Sequence, residues 1–208
     1  MPGYIASKSI QDIRAQLART AWCDFRSLSA AEARGLQHDA TSHGLRAEVV
    51  RDGLDDPAID QVLSLQDAHR AQHPSGSRYR VRIKPSFDDA VSILVMATPE
   101  GASVAVGSVV HAEHVPIPHE RLSRLRDELA SVSLLTLRGS TDIGLDGTSV
   151  SGSVEEGERV NHFFVWSPSA EKNPGERTFV VALARLAMEV CREPSVRERL
   201  RGLQEWIE

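Results

Sequence analysis

The apolar residues of this chain change their spacing at His73-Pro74-Ser75-Gly76-Ser77, and this change constrains the fold more than any other feature. Upstream, apolar side chains recur at the spacing of one helix face, as in Ile10, Ile13, Leu17 and Ala21. Downstream, apolar residues alternate with polar ones as in a half-buried strand, for example Tyr79, Val81 and Ile83 against Arg78, Arg80, Arg82 and Lys84. The sequence therefore predicts a helical N-terminal region over residues 1–75 and an α+β domain over residues 78–208.

Helix start signals divide the N-terminal region. Ser29-Ala30-Ala31-Glu32 has the Ser-x-x-Glu form in which two side chains cap each other's backbone donors, so a helix is predicted from Ser29 to about Gly44. Asp56-Pro57 predicts another start, because proline at the first helical position loses no hydrogen bond and the aspartate can cap.

The segment after residue 77 reads as a meander of strands followed by helices. Residues 90–97 and 102–110 are β-rich runs joined across a Pro-Glu-Gly turn, and residues 147–166 form a hairpin. Helices are predicted to open at Pro118 and at Asn173-Pro174, and Pro194 precedes a last amphipathic helix. The expected fold class is α+β: an antiparallel sheet of about five strands with helices packed on one face.

The composition of the chain argues against some classes of partner and some cellular locations. The net charge is -5 and no block of Lys and Arg occurs, so we expect no nucleic-acid partner. No apolar run approaches the ~20 residues that span a bilayer, and the N-terminus lacks a signal-like segment, so a cytoplasmic protein without membrane contact is expected. Only Cys23 and Cys191 occur, which suits a reducing compartment, and Cys191 is expected to be buried and inert.

Histidine clusters suggest a metal site. His69 and His73 are four residues apart on a predicted helix, but Arg70 stands where a zinc protease needs glutamate, so a solvated helix end is the alternative. A second cluster contains His111, Glu113, His114 and His119. On a strand His111 and Glu113 would share one face while His114 points away, so these ligands converge only in a bent loop. We assign no metal and no cofactor.

Nucleophilic catalysis has little support. Ser149, Ser151 and His162 lie close in sequence, but Ser151 stands where the Gly-x-Ser-x-Gly motif requires glycine, and the segment reads as a strand. Neither cysteine lies in a recognisable catalytic context, and no glycine-rich phosphate loop occurs. We therefore assign no catalytic residue.

The hairpin gives the most specific expectation. With Glu156-Gly157 as the two turn residues, Ser151 faces His162 and Val150 faces Phe163. One face then carries an apolar core, namely Val150, Val154, Phe163 and Val165. The other face carries serines and aromatic residues, namely Ser149, Ser151, His162, Phe164 and Trp166.

The second face of the hairpin is a candidate partner-binding surface. Trp166, Phe164 and His162 would supply the contacts, because aromatic anchors concentrate binding energy. Glutamates around the turn would steer a basic partner towards them, namely Glu155, Glu156 and Glu158. In the alternative interpretation, a helix that opens at Pro118 or Pro174 covers Phe164 and Trp166 as part of the core.

Several short motifs carry a resemblance. They are Tyr79-Arg80-Val81, Ile117-Pro118 before a helix, Gly144-Leu145-Asp146-Gly147, His162 and Trp166-Ser167-Pro168. Over roughly residues 78–192 the chain resembles a group of small uncharacterised bacterial proteins with a Leu-Asp-Gly-Ser/Thr turn, a hairpin and a Trp-Ser-Pro exit. The resemblance implies no catalytic residue, because none is established for that group.

These observations favour a cytoplasmic protein-binding module, most concretely an immunity-type inhibitor that occludes a toxin or effector. The first alternative is a metal-dependent hydrolase that uses the His111/His114 cluster or His162. The second is a structural homodimer formed through the last amphipathic helix.

Overall fold

The computed structural model describes residues 57–86, 88–108, 111–140 and 147–207, which fall within one compact unit, Asp56–Glu208. The helices predicted from Ile10 to Ala21 and from Ser29 to Gly44 lie outside the described residues. The helix that opens at Pro57, which the sequence assigned to the N-terminal region, belongs to the described unit and packs on its sheet.

Four helices and six strands make up this part of the chain. In chain order they are α1 (Pro57–Gln72), β1 (Ser77–Pro85), β2 (Val91–Ala97), β3 (Ala102–Ser108), β4 (His111–Pro116), α2 (His119–Leu129), β5 (Thr148–Glu156), β6 (Arg159–Trp166), α3 (Pro174–Val190) and α4 (Pro194–Ile207). A short 3₁₀ turn, Leu134–Thr136, follows α2.

Proline marks the start of each of these four helices. Pro57, Pro174 and Pro194 are first residues, and Pro118 is the N-cap of α2. Proline suits these positions because its fixed φ matches the helix and its missing N–H would have no partner in the first turn. The predicted starts at Asp56-Pro57, Pro118 and Asn173-Pro174 are therefore confirmed.

All six strands join one antiparallel sheet in the order β4-β3-β2-β1-β5-β6. The predicted fold class, α+β with an antiparallel sheet, is confirmed. The strand beyond the expected five is β4, whose sequence His-Ala-Glu-His-Val-Pro lacks a clear apolar alternation because it lies at the sheet edge and is largely exposed.

The two faces of the sheet bury different side chains. On the inner face, apolar residues from the strands pack against α2, α3 and α4, as predicted for helices on one face; they include Val81, Ile83, Ile93, Val106, Val150, Phe163, Phe179, Leu183 and Leu200. On the outer face, α1 packs on β2, β3 and β4, with a small apolar cluster of Val62, Leu94, Met96 and Ala105, and it also reaches β5 through Gln66. A side chain at Gly107 would lie 2.5 Å from the Ala58 carbonyl oxygen, so this glycine allows α1 to approach β3 closely.

The hairpin register differs from the prediction. Glu156 pairs with Arg159, so the turn residues are Gly157 and Glu158 rather than Glu156 and Gly157. The first turn residue, Gly157, has φ 61°, as a type II′ turn requires of glycine at that position. Moving the turn by one residue shifts the cross-strand pairs by two, so Ser151 faces Phe164 instead of His162, and both predicted faces are kept.

Candidate functional site

The candidate surface is the outer face of β1, β5 and β6, the half of the sheet that contains the predicted hairpin surface. Cross-strand pairing arranges this face in rows of three. From the hairpin turn towards the strand ends, the rows are Arg78-Glu155-Val160, Arg80-Ser153-His162, Arg82-Ser151-Phe164 and Lys84-Ser149-Trp166. Each row thus places a cation of β1 beside an acid or a hydroxyl of β5.

The first row is a buried ion-pair network. The Arg78 Nε donates to Glu155 Oε2 at 2.5 Å, and both side chains are only 1% exposed. Two residues of α1 complete it: Gln66 Nε2 donates to Glu155 Oε1 at 2.6 Å, and Arg70 Nε donates to Glu155 Oε2 at 3.1 Å. Arg70 also pairs with Asp67 on its own helix at 3.0 Å. Glu155 therefore connects α1 to the sheet.

The network shifts the pKa of two of its groups. Burial by itself raises the pKa of the Glu155 carboxyl, but the hydrogen bonds and charges of Arg70 and Arg78 outweigh it and hold this pKa below its ordinary value. The His69 ring has its Nδ1 3.4 Å from Arg78 Nη1. Burial, followed by the charges of Arg78 and His73, lowers the pKa of His69, which favours the neutral ring.

The three glutamates expected to steer a partner lie in different environments. Glu155 is buried and paired with two arginines, so its expected role as an exposed acid at the turn is wrong, because it belongs to the network under α1. Glu156 is half-buried and accepts a hydrogen bond from the Tyr79 hydroxyl at 3.1 Å. Glu158 is exposed at the turn, beside Val160, which is 47% exposed.

The middle rows are largely closed to solvent. Phe164 is 7% exposed, Arg80 is 4% exposed, and His162 is half-buried. The helices that open at Pro118 and Pro174 lie on the inner face, so the alternative in which one of them covers Phe164 and Trp166 is wrong. The main chain of Gly139 runs past the Phe164 backbone instead, where the next amide, Ser140 N, donates to Phe164 O at 2.7 Å.

Trp166 lies in the outermost row, where the face opens to solvent. Its side chain is partly exposed, and its neighbours in the row are Lys84, which is exposed, and Ser149. A Cβ atom on Gly147 would lie 2.8 Å from Trp166 Nε1, so the indole packs on a backbone position that has no room for a side chain. The indole is thereby held in place although part of it is exposed.

The end of the Asp-Gly turn and the start of the Trp-Ser-Pro exit lie side by side next to Trp166. Thr148 N donates to Ser167 Oγ at 3.0 Å, and Ser167 N donates to Thr148 O at 2.7 Å. Ser167 has φ 44°, a left-handed conformation that is uncommon outside glycine. Ser86 holds the other side of the junction through its amide, which donates to Gly147 O at 2.8 Å. The end of the Asp-Gly segment and the Trp-Ser-Pro exit thus form one structural unit, while Asp146 itself lies outside the described residues.

The fold keeps the first histidine pair together, with the ring centroids of His69 and His73 5.0 Å apart, and divides the second cluster. Because β4 is a strand, His111 and Glu113 share the inner face and His114 points to the outer face. The Glu113 carboxylate accepts the backbone amides of Arg192 at 2.9 Å and Glu193 at 2.9 Å, so it holds the connection between α3 and α4. Among the described residues, no group of three or more His, Cys, Asp and Glu side chains is arranged to hold a metal ion.

The thiol of Cys191 lies beside Glu113 at the end of α3. It is 2% exposed, as predicted, and burial, together with the Glu113 carboxylate, raises its pKa to about 12. A thiol with such a pKa stays protonated at neutral pH and is a poor nucleophile. Cys191 is therefore a packing residue.

Sequence reasoning missed the partners of Glu155 and the role of Glu113. The alternating arginines of β1 were visible as a basic strand face. The other signal was that Glu155, in the first row, stands on the face of β5 where the other three rows have serine. Gln66 and Arg70 reach this row only because α1 crosses the sheet there.

Comparison with known proteins adds no assignment: no family model, no curated protein and no solved structure matches this chain. None of the helices in the described part of the chain has the length and apolar character needed to cross a membrane.

Proposed function

We propose that this chain is a protein-binding module, most concretely an immunity-type inhibitor that occludes the working surface of a toxin or effector. The proposed contact surface is the outer face of the hairpin at its open end, with Trp166 as the anchor and His162 two rows nearer the turn. Phe164 lies in the row between them and is largely buried, so it offers little contact area to a partner.

The observation that carries the proposal is the environment of Trp166. The indole is partly exposed, yet its packing on Gly147 fixes its position. Tryptophan is enriched among residues that dominate protein interfaces, and a fixed side chain loses little conformational entropy on binding. Lys84 and Ser149 provide polar groups at the rim of the same row. An aromatic centre with a polar rim is the usual anatomy of a binding surface.

The length of the hairpin supports a partner that lies along it. Trp166 pairs with Ser149, and the turn end pairs Glu156 with Arg159, so the two ends are seven residues apart. At ~3.3 Å per residue this separation is about 23 Å. A protein partner can contact both ends, with a basic patch at Glu158 and an apolar pocket over Trp166. Glu156 is less available for this role because it binds the Tyr79 hydroxyl.

The experiment combines thermal melting with capture of partners from cells of the source organism. The variants are Trp166→Ala and Glu158→Lys, and Glu120→Lys, an exposed position on α2, is the control with the same charge change. Captured proteins are then expressed in a bacterial host, with and without this chain. We expect a captured protein that slows growth alone and is neutralised by the wild-type chain and by Glu120→Lys.

The behaviour of the variants shows whether Trp166 belongs to a binding surface or to the core. Trp166→Ala should keep its melting temperature within a few degrees but lose capture, and Glu158→Lys should slow association and weaken its salt dependence. If Trp166→Ala unfolds the protein while Glu158→Lys leaves every interaction intact, Trp166 is a core residue and the proposal fails. A captured partner whose activity the chain leaves unchanged contradicts the inhibitor function but keeps the binding surface.

A further inference from the structure

The two edges of the sheet are finished in different ways. At the β6 edge, Ser140 N donates to Phe164 O at 2.7 Å, and the Asn161 side-chain amide donates to Leu134 O and Leu137 O at 3.1 Å. The segment after α2 therefore covers that edge. At the opposite end of the sheet, β3 is the neighbour of β4 on one side, and no described strand lies on the other.

The register shows which backbone groups of β4 face outward. Ile117 N donates to Ala102 O at 2.8 Å, so residues 117 and 102 form a hydrogen-bonded pair of the β3–β4 ladder. In an antiparallel ladder such pairs recur at every second residue, so residues 111, 113 and 115 direct their N–H and C=O groups to β3. The N–H groups of Ala112 and His114, and the C=O groups of Ala112, His114 and Pro116, point away from the sheet.

None of these outward groups has a hydrogen-bond partner among the described residues. Among the described residues, every hydrogen bond made from β4 goes to β3 or passes through the Glu113 side chain. The strand is exposed at His111, His114 and Pro116. An open strand edge of this kind recruits another extended strand, because backbone donors and acceptors find their complement there.

We propose that β4 is a self-association edge, on which the β4 strand of a second copy of this chain pairs antiparallel across a two-fold axis. A strand edge is complementary to itself in this arrangement, since each copy supplies the same donors and acceptors. The pairing joins two six-stranded sheets into one of twelve strands. It leaves both hairpin ends, with Trp166, at the far edges of the assembly.

Charge selects the register of this pairing. If Glu113 lay opposite its own copy, two carboxylates would face each other, which destabilises an antiparallel pair. With His114 opposite His114, Glu113 faces Val115 and Ala112 faces Pro116 of the second copy. The N–H of Ala112 then donates to the Pro116 carbonyl, and the two His114 residues exchange N–H···O bonds. Every outward N–H group of both strands is satisfied, and Pro116 has none to leave unpaired.

The flanking helices extend the contact beyond the strands. Helix α1 contacts β4 from the outer face, and α4 contacts it from the inner face. The two-fold axis places α1 and α4 of the second copy beside the same pair of β4 strands. The two α1 helices therefore flank the strand pair on the outer face of the joined sheet, and the two α4 helices flank it on the inner face.

Sedimentation of the full chain tests the association. We expect a concentration-dependent species at twice the 22.8 kDa mass of the chain. Ala112→Pro removes one outward N–H without touching the bonds to β3 and should abolish this species, whereas Ala112→Ser keeps the N–H and should retain it. A melting curve of Ala112→Pro checks that the fold is intact. A wild-type chain that stays monomeric up to about 1 mM overturns the proposal.

Cysteine cross-linking tests the register and does not depend on a proline variant. In a Cys23→Ser background, His114→Cys should form a disulfide between copies, because the Cα atoms of a hydrogen-bonded pair lie about 5.5 Å apart. Val115→Cys is the matched control, since its two copies would be about 8 Å apart, too far for a disulfide. Cross-linking of Val115→Cys without His114→Cys, or a dimer that survives in folded Ala112→Pro, contradicts the proposal.

Discussion

Both faces of β1 and β5 contain side chains that are almost completely buried, but different interactions hold them. Val81 and Val150 on the inner face have no exposed surface, and Arg78 and Glu155 on the outer face are each 1% exposed. The inner face is held by apolar contact, which is non-directional and tolerates many neighbours. The outer face is held by hydrogen-bonded charges, which require particular partners at particular distances. Two side chains that are equally buried can therefore differ in how strongly their substitution lowers the free energy of unfolding.

Removing an aromatic ring from the inner face should have the largest effect. The Phe163 ring lies across Gly152, where a Cβ atom would be 2.2 Å from its Cζ, and meets the Phe179 ring edge-on at 5.6 Å. Phe163→Ala leaves a cavity and should lower the free energy of unfolding by about 3–5 kcal/mol in urea denaturation. A loss below about 1 kcal/mol would show that this layer is loosely packed.

Neutralising the carboxylate of the outer face should cost slightly less. Glu155→Gln keeps the shape of the side chain but leaves the buried Arg78 without its counter-charge, whereas Arg70 keeps Asp67. We expect a loss of about 3 kcal/mol, at the lower end for a broken buried pair. Arg70 is 33% exposed and can recover solvent contacts. The control Glu158→Gln, at the exposed turn, should leave the unfolding free energy unchanged.

A second substitution distinguishes an ion pair from simple packing at this position. Arg78→Met combined with Glu155→Gln removes both buried charges and should recover part of the loss caused by Glu155→Gln alone. Additive losses in the double variant would show that Arg78 and Glu155 do not interact and that the contrast between the faces is false.

Lowering the pH should reduce the free energy of unfolding through groups on or beside the outer face. We expect this loss to be smaller than the losses caused by the substitutions above. The pKa of folded His69 lies below its ordinary value of 6.5, so the unfolded chain binds this proton more readily and stability falls as pH drops below 6.5. The pKa of Glu155 is also lowered from 4.5, so its contribution is present above pH 4.5 and is lost as the pH falls further.

Chemical denaturation at a series of pH values measures both steps. His69→Gln should remove the decline that begins near pH 6.5, while His119→Gln, an exposed histidine at the start of α2, should retain it. An unchanged decline in His69→Gln would assign this step to another group. The Phe163 ring packs on Gly152 and Phe179, neither of which titrates, so Phe163→Ala should lose the same free energy at pH 8 and pH 6.

The sequence by itself determined the elements and the faces of this fold. Proline at the start of a helix and alternation along a strand act within a few residues, so α2, α3, β1 and the hairpin could be predicted. The hairpin faces survived an error of one residue in the turn, because the pairs moved by two and the alternation has a period of two.

Only the tertiary structure decided which groups on those faces meet. Gln66 and Glu155 are 89 positions apart, and their contact depends on α1 crossing the sheet over the first row of the outer face. The same placement turned Glu155 from an expected surface acid into the centre of an ion-pair network. Likewise, the edge position of β4 is defined by the order of all six strands, which its own six residues do not reveal. Local spacing fixes a side chain's direction, but its partner is chosen by elements that are distant along the chain.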